Sequence, residues 1–335
     1  MPDAIVIRGL RKTFGSTVAV ENLDLVIPEG SLHGLIGPNG AGKTTTIRMI
    51  MSIIFPDSGD LSVLGKRSAV ESKDRIGYLP EERGLYRKMK VAPFLVYMGR
   101  LKGVDSKGLA AKVRFWLERV GLGDCAKKRC EELSKGMQQK VQFIAAVLHE
   151  PDLIILDEPF SGLDPVNRRL LRELIEEQHR AGRTLIFSTH AMYEAEQLCD
   201  HLVMINHGRK VLDIAMGDLW KKFDPRTIIV EPLEHTEGAD PGVLRSLPGV
   251  AGIHEVRAGY ELKLADGADP APVMSAAAAA MRARRVEIKR VTVEEVFIDL
   301  VQQSGGSGEE IEEIRSAIER ARSEAGAGVS SGEAG

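Results

Sequence analysis

Over the first 36 residues, apolar positions come in short bursts: Ala4 to Arg8, an alternating stretch from Val18 to Ile27, and the unbroken run Leu32 to Ile36. Bursts of this length between polar turns predict three strands, the last buried on both faces. Gly37-Pro38-Asn39-Gly40-Ala41-Gly42-Lys43-Thr44 follows, and Thr45-Thr46-Ile47-Arg48-Met49-Ile50 continues as a helix. In a strand, glycine loop and helix taken in that order, the glycines let successive N–H groups face an anion while the helix start adds partial positive charge. Lys43 supplies a full charge for phosphate, and Thr44 a hydroxyl suited to Mg²⁺.

Further on, Gly59 to Gly65 and Ile76 to Pro80 predict strands, and Glu81 to Tyr86 a polar loop. From Val91 to Val120, Phe94, Leu95, Tyr97, Met98, Leu101, Leu109, Val113, Trp116, Leu117 and Val120 fall near helical spacing and are read as packing residues. Ser134 is an N-cap candidate for a helix carrying Val141, Ile144, Ala145 and Leu148. Leu153 to Glu158 is an apolar run ending in two carboxylates, Asp157 and Glu158, as expected of a buried parallel strand whose C-terminal end faces a site. Ser161 to Pro165 predicts a turn, Arg168 to Ala181 a charged helix, and Thr184 to His190 a strand ending in His190. Phe14, in the turn between the first two strands, suits either a base-stacking platform or the core.

Past Asp213 the pattern changes. A strand (Arg226 to Pro232), a short helix (Pro241 to Leu247), a hairpin (Gly252 to Val256 with Tyr260 to Leu264), an alanine-rich helix (Pro270 to Arg284) and a strand (Val286 to Val291) give the order β-α-β-β-α-β. That order predicts a small ferredoxin-like α+β unit. Thr292 to Glu295 reads as a capping box opening a last helix with Val296, Phe297, Leu300 and Val301 on its apolar side. Ser304 to Gly308 is a flexible linker, Glu309 to Arg322 an acidic segment with Ile311, Ile314 and Ile318 in one stripe, and Glu324 to Gly335 an expected disordered tail. The domain reading is therefore 1–222 with a helical subdomain at about 88–150, an accessory domain at 223–303, and linker, amphipathic helix and tail at 304–335.

Composition narrows the setting. The 45 basic and 48 acidic residues leave a net charge of -3, so there is no global basic field and nucleic acid is not an expected partner. Three cysteines, Cys125, Cys130 and Cys199, lack metal-ligand spacing and suit reduced thiols in a cytosolic protein. The N-terminus lacks a signal-peptide pattern and no apolar run approaches the ~20 residues of a membrane span. The expectation is a cytoplasmic chain that reaches a membrane through a partner.

Phosphoryl transfer needs a phosphate cradle, a metal and a group that activates water. Lys43 and the loop amides supply the first, Thr44 with Asp157 the second, and Glu158 the third as general base, with His190 near the γ-phosphate. Taken together, residues 4 to about 220 resemble the nucleotide-binding subunit of an ATP-binding-cassette (ABC) transporter. By that resemblance Phe14 is the adenine-stacking aromatic, Gly37 to Thr44 the Walker A loop, with Thr45 beside it, Leu153 to Glu158 the Walker B strand, Ser161 to Asp164 the D-loop and His190 the switch histidine. Leu133 to Met137 resembles the signature motif, whose Ser134 and Gly136 contact the γ-phosphate held by the opposite subunit. The resemblance implies an α/β P-loop cassette that binds ATP and Mg²⁺ and works as a head-to-tail dimer, with itself or a paralogue, on a separate integral-membrane permease.

The sequence departs from that family twice. The usual Leu-Ser-Gly-Gly-Gln has Lys135 and Met137 in its third and fifth places, and the usual Q-loop glutamine is Glu81, which can ligate Mg²⁺ but when ionised donates no hydrogen bond. Both departures and the C-terminal unit are similar to the exporter branch that includes sodium-extrusion and drug-resistance systems. The alternative is the same engine on a soluble task, ribosome remodelling or DNA repair. A single Walker A loop and the lack of a long heptad tract favour transport. The presence of Lys43, Asp157, Glu158 and His190 argues against a catalytically dead binding module.

Overall fold

The computed structural model describes residues 2–82, 84–233, 241–256, 258–303, 307–309, 311–312 and 314–316; the predictions for Ile318 and for Glu324 to Gly335 lie outside them. The chain forms two compact units, Met1–Met216 rejoined from Phe297 onward, and Gly217–Val296.

In the first unit β1 (Asp3–Phe14) and β2 (Thr17–Pro28) form a hairpin, and β3 (Leu32–Ile36), buried throughout, runs through the glycine loop into α1 (Lys43–Ile50). The strand β4 (Ser58–Val63) returns to pair with β1, and β5 (Ile76–Leu79) precedes the helices α2 (Val91–Leu101), α3 (Ser106–Arg119) and α4 (Lys135–Val147). Strands and helices then alternate as β6 (Leu153–Asp157), α5 (Pro165–Arg180), β7 (Thr184–Thr189), α6 (Met192–Leu198), β8 (His201–Asn206) and β9 (Arg209–Ala215).

The six-stranded sheet has the order β5-β6-β7-β3-β8-β9, parallel except for β9. A three-stranded antiparallel sheet, β2-β1-β4, shares one core with it: Ile5, Ile7 and Leu25 meet Ile47 and Ile50 of α1 and Ile155, Ile186 and Val203 of the larger sheet. Each such fully buried side chain contributes about 1.5–3 kcal/mol. Because β5, β6, β7 and β3 are neighbours and parallel, their C-terminal ends form one row, the edge at which open α/β sheets place ligands. That row carries Glu81, Asp157 with Glu158, His190 and the glycine loop.

Three elements differ from the sequence reading. β1 runs to Phe14 instead of stopping at Arg8, because register shifts at Ile7/Leu10 and Leu10/Lys12 keep the strand paired while its alternation breaks. The helical stretch from Val91 to Val120 is split at Gly103 to Asp105, where the Asp105 side chain accepts from Lys107 N at 3.0 Å and caps α3. The strands β8 and β9 were not predicted.

The second unit begins with most of α7 (Met216–Lys222) and continues as β10 (Thr227–Pro232), α8 (Pro241–Arg245), β11 (Val250–Val256), β12 (Gly259–Leu264), α9 (Pro270–Met281) and β13 (Ala283–Ile288). Its antiparallel order is β11-β12-β10-β13, with Leu244 of α8 and Val273 and Ala277 of α9 packed on Ile228, Val230 and Leu262. The β-α-β-β-α-β order is the expected one, but α9 ends at Met281, short of Arg284. Arg282 takes a left-handed φ of 45° that stops the helix, and β13 starts at Ala283 opposite Pro232. The helix α10 (Val293–Gln303) opens on the predicted capping box, Thr292 N donating to Glu295 Oε2 at 2.7 Å and Glu295 N to Thr292 Oγ1 at 3.2 Å. Of the predicted isoleucine stripe, Ile314 is buried and Ile311 half-buried.

Candidate active site

The glycine loop is shaped by close approach. A Cβ on Gly37 (φ 152°) would lie 2.1 Å from Ile205 O, and one on Gly42 (φ 106°) 2.4 Å from Ala19 O, so no larger residue fits either place. The loop is clamped further where Gly208 N donates to Ala41 O at 2.8 Å. Pro38, Asn39 and Gly40 form its outer rim, with Asn39 and Gly40 exposed, and Thr45 follows Thr44 in the first turn of α1. Lys43 is 5% exposed and its Nζ donates to Gly37 O at 2.8 Å and Pro38 O at 3.0 Å, folding over the loop that it closes.

The acids stand beside it. Asp157, the last residue of β6, accepts from Thr44 Oγ1 at 3.2 Å and from Ser188 Oγ of β7. Glu158, 6% exposed and at a left-handed φ of 47°, places Oε1 3.6 Å from Lys43 Nζ and accepts at Oε2 from His190 Nδ1 at 2.9 Å. Its own N–H donates to Ser188 Oγ at 3.1 Å. The structure thus brings Lys43, Thr44, Asp157, Glu158 and His190 together from three parallel strand ends. Ser188, which fixes both acids, was missed by the sequence reading; its signal is the parallel register that sets Asp157 beside Ser188. Tyr78, half-buried on β5, was missed as well: burial, then Asp157, pushes its hydroxyl up to about 12.

Electrostatics follow from crowding acids around one buried cation. Burial lowers the Lys43 pKa against the opposing pull of Glu158 and Asp157. Burial raises Asp157, opposed by its hydrogen bonds from Ser188 and Thr44. Glu81, exposed on the loop after β5, is raised by desolvation and then by Asp157 and Glu158, which places it within their field. The donor set of Thr44 hydroxyl and Asp157 carboxylate, with Glu81 at the edge, fits the oxygen ligation of Mg²⁺.

Phe14 is half-exposed at the end of β1, with Lys12 Nζ 5.5 Å from its ring centre, so it is no core residue. It pairs with Thr17, two residues before the Ala19 carbonyl that touches Gly42, which puts the ring on the hairpin beside the loop. Ser134 and Gly136 lie elsewhere. The Ser134 hydroxyl caps α4 by accepting from Met137 N at 3.3 Å, and a Cβ on Gly136 would lie 3.1 Å from Asn167 Nδ2 of α5. Asp164, exposed, caps α5 by accepting from Asn167 N at 2.9 Å, a bond that lowers its pKa. Gly136 and Asp164 thus both adjoin Asn167 at the start of α5, and the cap bonds of Ser134 and Asp164 go to the first turns of α4 and α5.

Most of the chain is similar to known proteins. Residues 20–161 match the family model "ABC transporter", and 217–301 match "ATP-binding protein DrrA1-3-like, C-terminal domain". Residues 129–196 also match the model "AAA domain, putative AbiEii toxin, Type IV TA system". An uncharacterized ABC transporter ATP-binding protein of Alkalihalophilus pseudofirmus is 41% identical over 267 residues, 80% of this chain and 98% of that protein. The linearmycin resistance ATP-binding protein of Bacillus subtilis is 32% identical over 302 residues, 87% of this chain and 96% of that protein. A solved ATP-binding subunit of an ABC transporter superposes with a TM-score of 0.61 at 31% identity, covering 66% of this chain and 93% of that one. The chain belongs to the ABC transporter family, as an ATP-binding subunit that is an ATPase and carries a DrrA-like C-terminal domain.

Proposed function

We propose that this chain hydrolyses ATP at a site completed by a second ATPase subunit, and that the closing of the pair drives export by a separate integral-membrane permease. The observation that carries the catalytic part is the position of Glu158, held between Lys43 and His190 at the rim of the phosphate cradle. The loop amides and Lys43 bind the β- and γ-phosphates, and Phe14 stacks on the base. Thr44 and Asp157, with Glu81, are the groups that hold Mg²⁺, which when bound neutralises charge on the phosphate oxygens. Glu158 takes the proton of the attacking water as the water oxygen bonds to the γ-phosphorus and ADP leaves. His190, donating through Nδ1, keeps that carboxylate aimed.

The dimer reading rests on Ser134 and Gly136 standing at the start of α4 with no hydrogen bond to Lys43 or the acids among the described residues: that helix start is supplied to the neighbour's nucleotide. The permease reading rests on two exposed aromatics after the Glu81 loop, Tyr86 and Tyr97, which stand edge-on with centroids 5.8 Å apart, Tyr86 also resting edge-on against the buried Phe94 at 6.0 Å. Export follows from relatives named for Nod factor export and linearmycin resistance. The chain then works on the cytoplasmic face of the membrane; no helix of the described residues is long and apolar enough to cross one.

Glu158→Gln is expected to lower turnover roughly a thousandfold while ATP affinity stays within about threefold. Hydrolysis at the parental rate would show that another group is the base. The same variant with ATP should co-purify with a multi-span membrane protein, and recovery only with ribosomes or DNA would contradict the transport reading.

A further inference from the structure

One face of α4 touches every segment that carries a functional acid. Positions 136, 139, 142 and 146 are three, three and four residues apart and so share a face. Gly136 abuts Asn167 at the start of α5. One turn on, Gln139, 4% exposed, donates from Nε2 to Pro159 O at 2.9 Å, the carbonyl next to Glu158. Gln142, 6% exposed, donates from Nε2 to Glu82 O at 3.5 Å, the carbonyl next to Glu81. At the far end Gly77 of β5 is pressed so close that a Cβ would lie 2.1 Å from Ala146 O.

Gln142 is the unusual member. Its Nε2 contact is at the long limit of a hydrogen bond, and its Oε1 is buried without a hydrogen-bond partner among the described residues. A leucine of similar volume would avoid that desolvation cost, which is paid here for an amide whose reachable acceptor is the Glu81 loop. A shift of the loop by about 0.6 Å toward α4 brings the Glu82 bond from 3.5 Å into the ordinary range of ~2.9 Å, while Oε1 keeps its capacity to accept. The side chain is therefore half-engaged, with spare capacity for one direction of loop movement.

We propose that Gln142 is a positioning residue that ties the Glu81 loop to the signature helix, so that with Gln139 on the Glu158 segment both acid-bearing segments move with α4. Ser134, at the head of the same helix, is thereby linked to the acids of its own chain. The link to turnover rests on the hydrolytic reading above; the link to the loop does not.

The test uses the full chain with Gln142→Leu and, as a second apolar variant, Gln142→Met. In the nucleotide-free protein, amide hydrogen exchange at Glu81 and Glu82 is expected to speed up about fivefold, with exchange along Gln139 to Ala146 unchanged. Melting temperature should be equal to or above the parent's, because an unpaired buried group is removed. With Mg-ATP, kcat should fall about fivefold at unchanged KM, the pattern of a group that acts through the loop after nucleotide has bound. Parental exchange at Glu81 and Glu82 in either variant overturns the proposal, as does faster exchange spread through α4, which would mark a packing defect. Altered exchange with unaltered kcat would leave the tie to the loop standing and overturn its role in turnover.

Discussion

At the scale of single residues, the site works because side chains from separate strands correct one another. Ser188 donates to Asp157 and accepts from the Glu158 N–H, so one hydroxyl sets both acids. Ser188→Ala is expected to raise the half-saturating Mg²⁺ concentration about tenfold, the usual effect of removing a partner of a metal-ligating carboxylate, as titration of ATPase rate or of Mn²⁺ binding would show. His33 makes a second prediction at the opposite end of β3, stacked on His201 with ring centres 4.7 Å apart. Burial and then His201 lower its pKa from 6.5 to about 4. Between those values the unfolded chain binds a proton that the folded chain refuses, so stability is fully present above pH 6.5 and is lost as pH falls toward 4. The full shift corresponds to about 3 kcal/mol. Denaturant midpoints at pH 7 and pH 4.5 should differ strongly in the parent and roughly half as much in His33→Gln, because burial lowers His149 to about 4 as well. Lys43 was legible in the sequence from the glycine loop that it closes, and Glu158 and His190 because each follows an apolar run that reads as a strand. Ser188 and Gln142 were not, since their partners lie tens of residues away and meet them only through sheet register and helix packing.

At the scale of elements, local chemistry predicts well where one signal dominates. The run from β3 through the glycine loop to α1, the cap of α4 at Ser134 and the box opening α10 were all readable, because strand, turn and cap signals lie within a few residues of each other. Boundaries failed where pairing overrides pattern: β1 continues past Arg8 through its bulges, and α9 stops early at the left-handed Arg282. The apolar run of β8 is only Leu202 to Ile205 and that of β9 is broken at Asp213, and neither strand was read until β3 supplied a partner for β8 and β8 one for β9. The contact between β5 and α4 is testable at Gly77. Gly77→Ala sets a methyl against Ala146 O, and since both sides are backbone, neither can give cheaply. A loss of about 2–3 kcal/mol in unfolding free energy is expected by chemical denaturation, with the Glu81 loop displaced and kcat reduced along with it.

At the scale of the molecule, the chain carries two units with separate cores, one shared by the two sheets of the cassette and one under the sheet β11-β12-β10-β13. Independent cores predict that calorimetry resolves two transitions, and that saturating Mg-ATP raises only the one belonging to the cassette. A single transition shifted as a whole by nucleotide would mean that the units unfold together.

In the proposed dimer each hydrolytic site is shared, with Lys43 and Glu158 from one chain and Ser134 from the other. Glu158→Gln and Ser134→Arg should each be inactive alone. Mixed in equal amounts, half the dimers pair the two variants, and each of those has one site with an intact Glu158 facing an intact Ser134. The mixture is therefore predicted to recover roughly a quarter of the parental ATPase rate. No activity in a mixture shown to exchange subunits, or full activity of Ser134→Arg by itself, would contradict the shared site.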